Sequence, residues 1–428
     1  MVKCRPGRRA RPGLVQWREQ VVRHRFVAGI AIPAALSVIA VAGCGSNSSG
    51  GSGSSGSGKT VVIGMSAPLT GSLSALGLGM KNSVDLAVKQ ANQANKISGW
   101  TIKFDPQDDQ ADANVGGQVA ARLASEGNLV GVVGTLNSSV AQQEQKAYND
   151  QNIVMISPAN TNPTLTQGPD FAKGTKTRPY KSYFRVATTD AIQGPFAAKY
   201  LEAQGIKKVA TVNDQKTYGA GLVDQFEQQW KKDGGTITSH QKINPGDKDF
   251  SGVISKIKPT APQAVYYGGE YPEAGPLSKQ MKAAGLAVPL MGGDGIYDPT
   301  FIKLAGAKSN GDLATSVGAP TDSLASAKDF VAAYKSAGYA EPFSAYGAYS
   351  YDAANVIINA LAKVLPGKKS IDSSVRQAVV NAVQGADFTG VTGHVSFDQY
   401  GDTTNKVLTV YKVQGGAWVP VKTDTFNS

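Results

Sequence analysis

Few side chains in this sequence have the types and spacing that catalysis or metal binding requires. Beyond Cys44 there is no cysteine, which excludes a disulfide framework and a thiolate metal cluster there, and only two histidines remain, His240 and His394. A Ser-His-Asp arrangement could use only those histidines, and neither follows a strand near Ser138. The segment Gly77-Leu-Gly-Met-Lys-Asn82 starts like a dinucleotide fingerprint but has Asn82 in place of its third glycine. The sequence therefore predicts no metal or cofactor and gives little support for an enzyme.

One loop has the composition of an anion-binding site. Leu136-Asn137-Ser138-Ser139 lies between a predicted strand and a predicted helix, where free backbone N–H groups and the helix dipole favour an anion. The hydroxyls of Ser138 and Thr161 can donate alongside the backbone. In the structural alternative, Ser138 or Ser139 only caps the helix and Thr161 is a turn residue. With two such loops and an acid elsewhere, we favour contact with a bound ligand.

Short apolar runs alternate with longer helical patterns from Lys59 onward, and these elements must position the loops. The predicted strands are Thr60–Ser66, Trp100–Asp105, Leu129–Gly134, Ile153–Ser157, Lys208–Asn213, Thr236–His240, Gln263–Gly268 and Val288–Met291. The predicted helices are Met80–Asn95, Ala113–Glu126, Ser139–Asp150, Tyr218–Asp233 and Glu273–Ala284. Two such series predict an α/β fold with two doubly wound, Rossmann-like lobes built on parallel sheets. Because ligands bind beyond the carboxyl ends of parallel strands, the informative residues should follow the strands.

Seven short segments carry a family resemblance. In chain order they are Ala67-Pro-Leu-Thr-Gly71, Gly134-Thr-Leu-Asn-Ser-Ser139, Ile156-Ser-Pro-Ala-Asn-Thr161, Asp190-Ala-Ile-Gln-Gly194, Tyr218-Gly-Ala-Gly221, Val265-Tyr-Tyr-Gly-Gly269 and Gly292-Gly-Asp-Gly295. Together they resemble the leucine/isoleucine/valine-type substrate-binding proteins of ABC transporters, which are type I periplasmic binding proteins. The resemblance spans about residues 59–420.

The resemblance implies two lobes that are joined by a hinge of three chain crossovers and close around a ligand. We expect the crossovers near residues 189, 317 and 406. Lobe 1 would then comprise residues 59–189 and 318–406, and lobe 2 would comprise residues 190–317 and 407–428.

The resemblance also assigns residues to the two charged ends of an amino acid. The family's carboxylate-binding positions fall on Ser138, Ala159 and Thr161. Asp294 matches the acid that pairs with the ligand's ammonium, and such a pair in a closing cleft forms a strong charge-assisted bond. The alternative for Asp294 is an ordinary Asp-Gly turn.

Further positions concern the walls of the site. Tyr218 matches an aromatic wall, or else packs at a helix start. Leu76 and Leu136 would line the side-chain pocket, although leucine is more often a core residue. Asp190 and Gln193 fall at the first crossover, where they contact the ligand or stabilise the hinge.

The sequence departs from the family directly after its Gly-Gly pair. Branched-chain members tend to carry an aromatic ring there, available for cation–π contact with the ammonium. Here that place is Glu270, and Tyr271 comes next. Either the loop is shifted so that Tyr271 serves, or Glu270 supplies a second carboxylate that favours a more cationic ligand.

Residues 1–43 have the pattern of an export signal. A basic head is followed by an apolar run from Phe26 to Gly43 and by Val41-Ala42-Gly43-Cys44, which resembles the lipobox of bacterial lipoproteins and implies lipidation of Cys44. The alternative is a single transmembrane anchor, because the run reaches the lower length limit for spanning. The Gly/Ser-rich residues 45–58 predict a flexible tether, so residues 44–58 would join the lipid to the lobes.

The charge balance gives no support for nucleic-acid binding. Residues 1–43 hold eight Lys or Arg and one Glu, so removing them from the chain's 43 basic and 32 acidic residues lowers the net charge from +11 to +4. We expect a monomeric solute-binding protein that is lipid-anchored on the outer face of the cytoplasmic membrane. It would deliver an amino acid, first of all a branched-chain one, to an ABC transporter permease. The alternatives are another solute such as an amide or a basic amino acid, a sensor partner, or an envelope enzyme.

Overall fold

Two β-sheets covered by helices organise residues 59–426, which are the residues that the computed structural model describes. The first sheet is wholly parallel, and its spatial order is β2 (Trp100–Asp108), β1 (Lys59–Ala67), β3 (Leu129–Gly134), β4 (Val154–Ser157) and β5 (Tyr183–Arg185). This is a doubly wound order, and it reverses between β1 and β3. We call this sheet with the helices packed on it lobe 1.

The second sheet has seven strands. Their spatial order is β7 (Thr236–Lys242), β6 (Lys208–Asn213), β8 (Ala264–Gly268), β9 (Leu290–Gly292), β10 (Leu313–Val317), β13 (Val407–Gln414) and β14 (Ala417–Thr425). The strands from β6 to β10 are parallel, whereas β13 and β14 add an antiparallel edge. We call this sheet with its helices lobe 2. A separate antiparallel pair is formed by β11 (Asp387–Gly390) and β12 (Gly393–Ser396).

Twelve α-helices are found among the described residues. They are α1 (Ser74–Gln93), α2 (Ala113–Ala124), α3 (Ser138–Asn149), α4 (Thr164–Gln167), α5 (Asp190–Ala203), α6 (Thr217–Lys232), α7 (Ser251–Ile257), α8 (Tyr271–Ala283), α9 (Pro299–Ala305), α10 (Lys328–Ser336), α11 (Gly347–Val364) and α12 (Ser373–Gln384). Helix α11 packs against α1 and β3 in lobe 1, and α5 packs against α6 in lobe 2. None of the helices in residues 59–426 combines the length and apolar composition needed to cross a membrane.

The apolar strands form because both faces of each sheet are covered. Every residue of β3 and of β8 is buried, which is the pattern of parallel strands between two helix layers. The register aligns the strand ends, because Ser66 of β1 pairs with Gly134 of β3 and Asn213 of β6 pairs with Gly268 of β8. The loops that follow these strands therefore meet at one edge of each sheet.

The predicted α/β fold with two parallel-sheet lobes is confirmed, although one helix starts earlier than its pattern indicates. Helix α1 begins at Ser74 instead of Met80, and two glycines in its first turns pack closely against backbone. A Cβ on Gly77 would lie 1.9 Å from the Pro68 carbonyl oxygen, and one on Gly79 would lie 2.7 Å from that of Phe343. The fingerprint-like glycines are thus helical packing positions. The predicted export signal, Cys44 and the tether lie outside the described residues.

Candidate functional site

A small cavity lies between the two lobes, beyond the carboxyl ends of β3, β4, β6, β8 and β9. Its lining residues are Leu76, Leu136, Asn137, Ser138, Ala159 and Tyr346 from lobe 1 and Tyr218, Glu270, Asp294 and Gly295 from lobe 2. Seven of the nine predicted ligand residues are among them; Thr161 and Tyr271 are not. The cavity volume of about 20 Å³ suits roughly one water-sized molecule. An amino acid fits only if the lobes move apart.

Asp294 is the most buried acid on this cavity, with 1% of its surface exposed. Its Oδ1 accepts hydrogen bonds from the Tyr218 hydroxyl at 2.7 Å and from Gln193 Nε2 at 3.0 Å, and its Oδ2 accepts one from the Tyr346 hydroxyl at 2.8 Å. Burial raises the pKa of Asp294 in spite of these donors. Within the described residues no Lys, Arg or His forms an ion pair with it. The carboxylate is thus oriented by neutral donors and lacks a counter-cation in this part of the chain.

Gln193 positions Asp294. Its amide nitrogen donates to the Asp294 carboxylate, while its amide oxygen accepts from the Asp294 backbone N–H at 3.0 Å and from the Thr315 hydroxyl at 2.8 Å. Of the two roles predicted for Gln193, the structure therefore favours support of the site over direct contact with the cavity.

Asp190 forms a second buried acid behind Asp294. Burial, followed by the charge of Asp294, raises the pKa of Asp190 to about 8. Its Oδ2 and the Thr161 hydroxyl are both buried without a hydrogen bond of ordinary geometry, although the Thr161 hydroxyl lies close enough to lower that pKa. Thr161 thus lies beside the start of α5 and not on the cavity.

The lobe 1 wall centres on the start of α3. Asn137 occupies the N-cap position, but its Oδ1 accepts no capping bond and its Nδ2 donates across the lobes to Glu270 Oε1 at 2.6 Å. Ser138 is the first helical residue and not the cap, and its hydroxyl has no partner among the described residues. The capping alternative for Ser138 is therefore wrong, and its hydroxyl makes no hydrogen bond that would stabilise the start of α3.

The loop after β4 is held rigidly behind this wall. The Ala159 and Asn160 backbone N–H groups donate to the Ser157 hydroxyl at 3.1 and 2.8 Å. Arg185, which is fully buried, donates to the carbonyl oxygens of Asn160 and Asn162 and pairs with Asp402 at 2.6 Å. Ala159 therefore lines the cavity in a fixed position, but its N–H is already used in this conformation.

The position of Glu270 shows whether Tyr271 replaces the family's aromatic ring or Glu270 supplies a second carboxylate. It lines the cavity, whereas Tyr271 begins α8 and its hydroxyl donates to the Ser72 carbonyl oxygen of lobe 1 at 2.5 Å. The structure thus places the carboxylate, and not the ring, at the site. Glu270 Oε2 lies 3.6 Å from Lys216 Nζ, so a cation from the protein already faces it.

The surroundings of Glu270 limit its charge further. Burial and the charge of Glu270 raise the pKa of Asp214 to about 8, which leaves Asp214 largely neutral at pH 7. Burial lowers the pKa of Lys216, but the charges of Glu270 and Asp214 more than compensate and raise it. Lys216 is therefore the cation that faces Glu270, and the carboxyl groups of Asp214 and Glu273 lie near the same ammonium.

Tyr346 and Asn137 belong to the cavity but were not singled out from the sequence. Asn137 belongs to the predicted anion-binding loop, so its place near the site could have been predicted from the sequence. Tyr346 precedes α11, a helix for which no local pattern had indicated a place near the site. Only the packing of α11 on α1 and β3 brings its first turn to the cavity.

The catalytic alternatives do not meet at this cavity. His240 lies on the edge strand β7, with its Nδ1 2.7 Å from Glu227 Oε1, and His394 lies on β12. The segment from Gly53 to Thr60 matches the phosphate-loop pattern G-x-x-x-x-G-K-[ST]. Such a loop must join a strand to a helix, whereas Lys59 and Thr60 begin β1. His240, His394, Lys59 and Thr60 do not line the cavity.

Comparisons with known proteins agree on one family. A family model described as periplasmic binding protein matches residues 60–417. Leu/Ile/Val-binding protein homolog 2 of Brucella abortus is 32% identical over 359 residues, which cover 83% of this chain and 91% of that protein. The leucine-, isoleucine-, valine-, threonine-, and alanine-binding protein of Pseudomonas aeruginosa is 30% identical over 354 residues, with 82% and 90% covered.

Two solved structures share the fold over nearly their whole length. The leucine binding protein LivK from Thermotoga maritima has a TM-score of 0.75 and 25% identity, covering 85% of this chain and 98% of that one. The branched-chain amino acid transporter substrate binding protein LivJ from Streptococcus pneumoniae, in complex with isoleucine, has a TM-score of 0.72 and 27% identity, covering 85% and 100%.

Proposed function

The chain belongs to the periplasmic binding protein family, and from this premise we propose that it is the solute-binding component of an ABC importer. Its proposed ligand is a branched-chain amino acid, bound between the two lobes. The support is twofold: relatives named for binding leucine, isoleucine and valine align over more than four fifths of the chain, and the residues around the cavity have the chemistry that an amino acid requires.

The observation that carries the proposal is the environment of Asp294. A buried carboxylate that has three neutral donors and no cation in the described chain is arranged to receive one from a ligand. An ammonium in this place would make a charge-assisted bond in a water-poor cleft, the strongest class of hydrogen bond. A neutral solute such as an amide or a sugar would leave Asp294 without that partner.

The opposite wall suits the ligand's carboxylate. The first backbone N–H groups of α3 have no acceptor within the helix, and the partial positive charge of a helix N-terminus favours an anion. The free hydroxyl of Ser138 lies at this point. Ala159 and the unpartnered Thr161 hydroxyl complete the proposed carboxylate corner after the lobes rearrange.

The apolar part of the ligand would face Leu76 and Leu136, with the rings of Tyr218 and Tyr346 beside them. The carboxylate of Glu270 makes a basic amino acid the second candidate ligand. Tyr271 does not line the cavity, so its ring offers no cation–π contact there. Because Lys216 already faces Glu270, the site offers a second ammonium little uncompensated charge. We therefore keep the branched aliphatic side chain as the proposed ligand group.

Binding requires the lobes to move. We propose the division into residues 59–189 with 318–406 and residues 190–317 with 407–428, with hinge points near 189, 317 and 406. Opening would break the contacts that cross between the lobes, among them Asn137 to Glu270 and Tyr346 to Asp294. The closed form with ligand would be the one that a permease recognises.

The proposed location is the outer face of the cytoplasmic membrane. Periplasmic binding proteins act outside the cytoplasm, and the Val41-Ala42-Gly43-Cys44 sequence supports cleavage before Cys44 and its lipidation. Residues 45–58 would then tether a monomeric body to the membrane surface, close to the permease. No enzymatic activity and no nucleic-acid binding are proposed.

A melting screen of the unliganded protein against the twenty amino acids, sugars, amides and polyamines tests the function. A ligand that binds only the folded state adds RT ln(1 + [L]/Kd), about 4 kcal/mol at a thousandfold excess over Kd. Leucine, isoleucine and valine should raise the melting midpoint by several degrees. A clear shift with a sugar or an amide and none with any amino acid would overturn the assignment.

A further inference from the structure

A second cavity, of about 430 Å³, lies where the chain leaves β10, and we call it the β10 pocket. Residues of both lobes form it: Phe343 and Tyr349 come from lobe 1, and Tyr297, Tyr411 and Trp418 come from lobe 2. Its volume falls in the range of about 300–1,000 Å³ that small-molecule sites occupy. None of its lining residues is shared with the amino-acid cavity.

The walls of the β10 pocket are mainly apolar, with five aromatic side chains. The rings of Tyr297 and Tyr411 stack with centroids 4.0 Å apart, and the Trp418 ring lies 6.0 Å from that of Tyr297. A single charged side chain lines the pocket, the exposed Asp322, and no Lys, Arg or His of the described chain does. Aromatic faces attract cations, and one carboxylate without a basic neighbour adds to that attraction.

We propose that the β10 pocket is a second ligand site, and that it takes a small organic cation with an apolar body, such as an arylalkyl ammonium. The body is buried among the rings and the ammonium faces Asp322. The same charge disfavours a carboxylate ligand. This site goes beyond the proposed transport function, because it does not overlap the amino-acid cavity.

The pocket is joined to the amino-acid cavity through two short connections. Tyr297 follows Asp294 by one turn, and its backbone N–H donates to the Asp294 carbonyl oxygen at 3.0 Å. Tyr349 follows Tyr346 by one turn at the start of α11, and its hydroxyl donates to the Val317 carbonyl oxygen at 2.8 Å. Both pocket walls therefore adjoin the Asp294–Tyr346 contact between the lobes.

An occupant of the β10 pocket consequently stabilises the arrangement of the lobes in this structure, in which the amino-acid cavity suits only about one water-sized molecule. This consequence rests on the proposed function. Coupling between two sites is reciprocal, so the cation and the amino acid must change each other's affinity by one common factor. Because the amino acid needs the lobes to move from this arrangement, we expect each ligand to weaken the other's binding threefold or more.

The test is calorimetric titration of the purified protein with 2-phenylethylamine, in low salt, beside its neutral and anionic counterparts 2-phenylethanol and 3-phenylpropionate. The amine should bind saturably, about two- to fivefold more tightly than the alcohol, which is the range for exposed cation–carboxylate and cation–π contacts. The propionate should bind most weakly. The Asp322→Asn variant should lose the preference for the amine, whereas Asp329→Asn, which changes an exposed acid on α10 outside the pocket, should keep it.

Two further variants locate the site. Ala417→Trp places a large side chain at the pocket wall and should abolish binding of all three compounds, with an unchanged melting midpoint as the check on folding. If the amine is lost in Asp294→Asn but kept in Asp322→Asn and Ala417→Trp, it occupies the amino-acid cavity and the proposal is wrong. Absence of saturable binding at millimolar amine also overturns it. These titrations need no amino acid, so they decide the β10 pocket even if the transport function fails.

Discussion

The Tyr346 hydroxyl of lobe 1 donates to Oδ2 of Asp294 in lobe 2 across 2.8 Å, and this bond closes the cavity between the lobes. Both groups are fully enclosed, so each depends on the other: the carboxylate needs donors, and the hydroxyl needs an acceptor. A ligand ammonium would approach the same oxygen atoms. The contact therefore links recognition of the ligand to closure of the lobes.

Replacing Asp294 by Asn should remove most of the affinity for amino acids. The amide keeps the shape but lacks the charge that faces the ammonium, and truncating such a buried pair costs about 2–5 kcal/mol, or roughly 30- to 4,000-fold in Kd. Calorimetric titration with leucine measures the change. Asp424→Asn, an exposed acid on β14, serves as the matched control. A change below threefold in Asp294→Asn would remove this residue from the site.

Tyr346→Phe should weaken closure while the fold stays intact. Asp294 keeps Tyr218 and Gln193 as donors, so the variant loses only the bond that spans the lobes; hydrogen bonds to charged groups contribute about 1.5–3 kcal/mol. We expect leucine affinity to fall by about tenfold or more, mainly through faster dissociation in stopped-flow traces. Tyr339→Phe removes a comparable hydroxyl bond, to Asp85, far from the cavity and should change neither rate. Equal dissociation rates in both variants would contradict the closing role of Tyr346.

Lys216 should determine how strongly the Glu270 carboxylate favours basic over aliphatic amino acids. In the native protein its ammonium offsets the Glu270 carboxylate, so leucine should bind more tightly than lysine or arginine. Lys216→Met leaves Glu270 without its cation, and the ratio of arginine to leucine affinity should rise by about tenfold. Glu270→Tyr, which removes the carboxylate, should instead strengthen the preference for branched aliphatic ligands. Tighter binding of arginine than of leucine by the native protein would show that Lys216 does not compensate Glu270.

The acid pair Asp109 and Glu144 should make stability fall as pH rises. The Ser66 hydroxyl contacts both carboxylates, at 3.2 and 2.6 Å. Burial raises the pKa of Asp109 to about 6 and that of Glu144 well above its usual value, so the folded state binds more protons than the unfolded one. Their stabilisation is complete below about pH 4 and is lost as pH rises through the folded pKa values.

Glu144→Gln tests this dependence, because Gln keeps a hydrogen-bonding group beside Ser66 but cannot ionise. The variant should melt about 2–4 °C higher than the native protein at pH 8 and show a flatter profile between pH 5 and 8. Glu202→Gln, which changes a half-buried acid near the end of α5 that pairs with Lys199, is the control. Parallel melting profiles for native protein and Glu144→Gln would contradict this prediction, because they would mean that the pKa of Glu144 is the same in the folded and unfolded states.

Cys44→Ser should prevent lipidation and normal processing of the export signal. Stable membrane attachment takes two or more acyl chains, and the thiol is where they would be added. The native protein should enter the detergent phase in phase partitioning, and the variant should stay aqueous. Mass spectrometry that finds native Cys44 unmodified would end the lipoprotein interpretation.

The sequence by itself determined the elements that are buried on both sides. The apolar run Leu129–Gly134 became β3 with the predicted bounds, and Lys208–Asn213 became β6, because fully buried parallel strands need continuous apolar residues. It also indicated the loops after the strands, since a doubly wound sheet brings strand ends together. Ser138, Tyr218 and Asp294 reached the cavity for that reason.

Only the tertiary structure decided which side chains face each other across the lobes. Tyr346 and Asp294 are 52 residues apart, and Asn137 and Glu270 are 133 apart. Such contacts depend on how helices pack and lobes approach, and a local period of two or 3.6 residues carries no information about either. The same limit explains why Thr161 lies beside Asp190 instead of on the cavity. It also explains why the partner of Glu270 is Lys216, because charge pairing follows from distance in space and not from position along the chain.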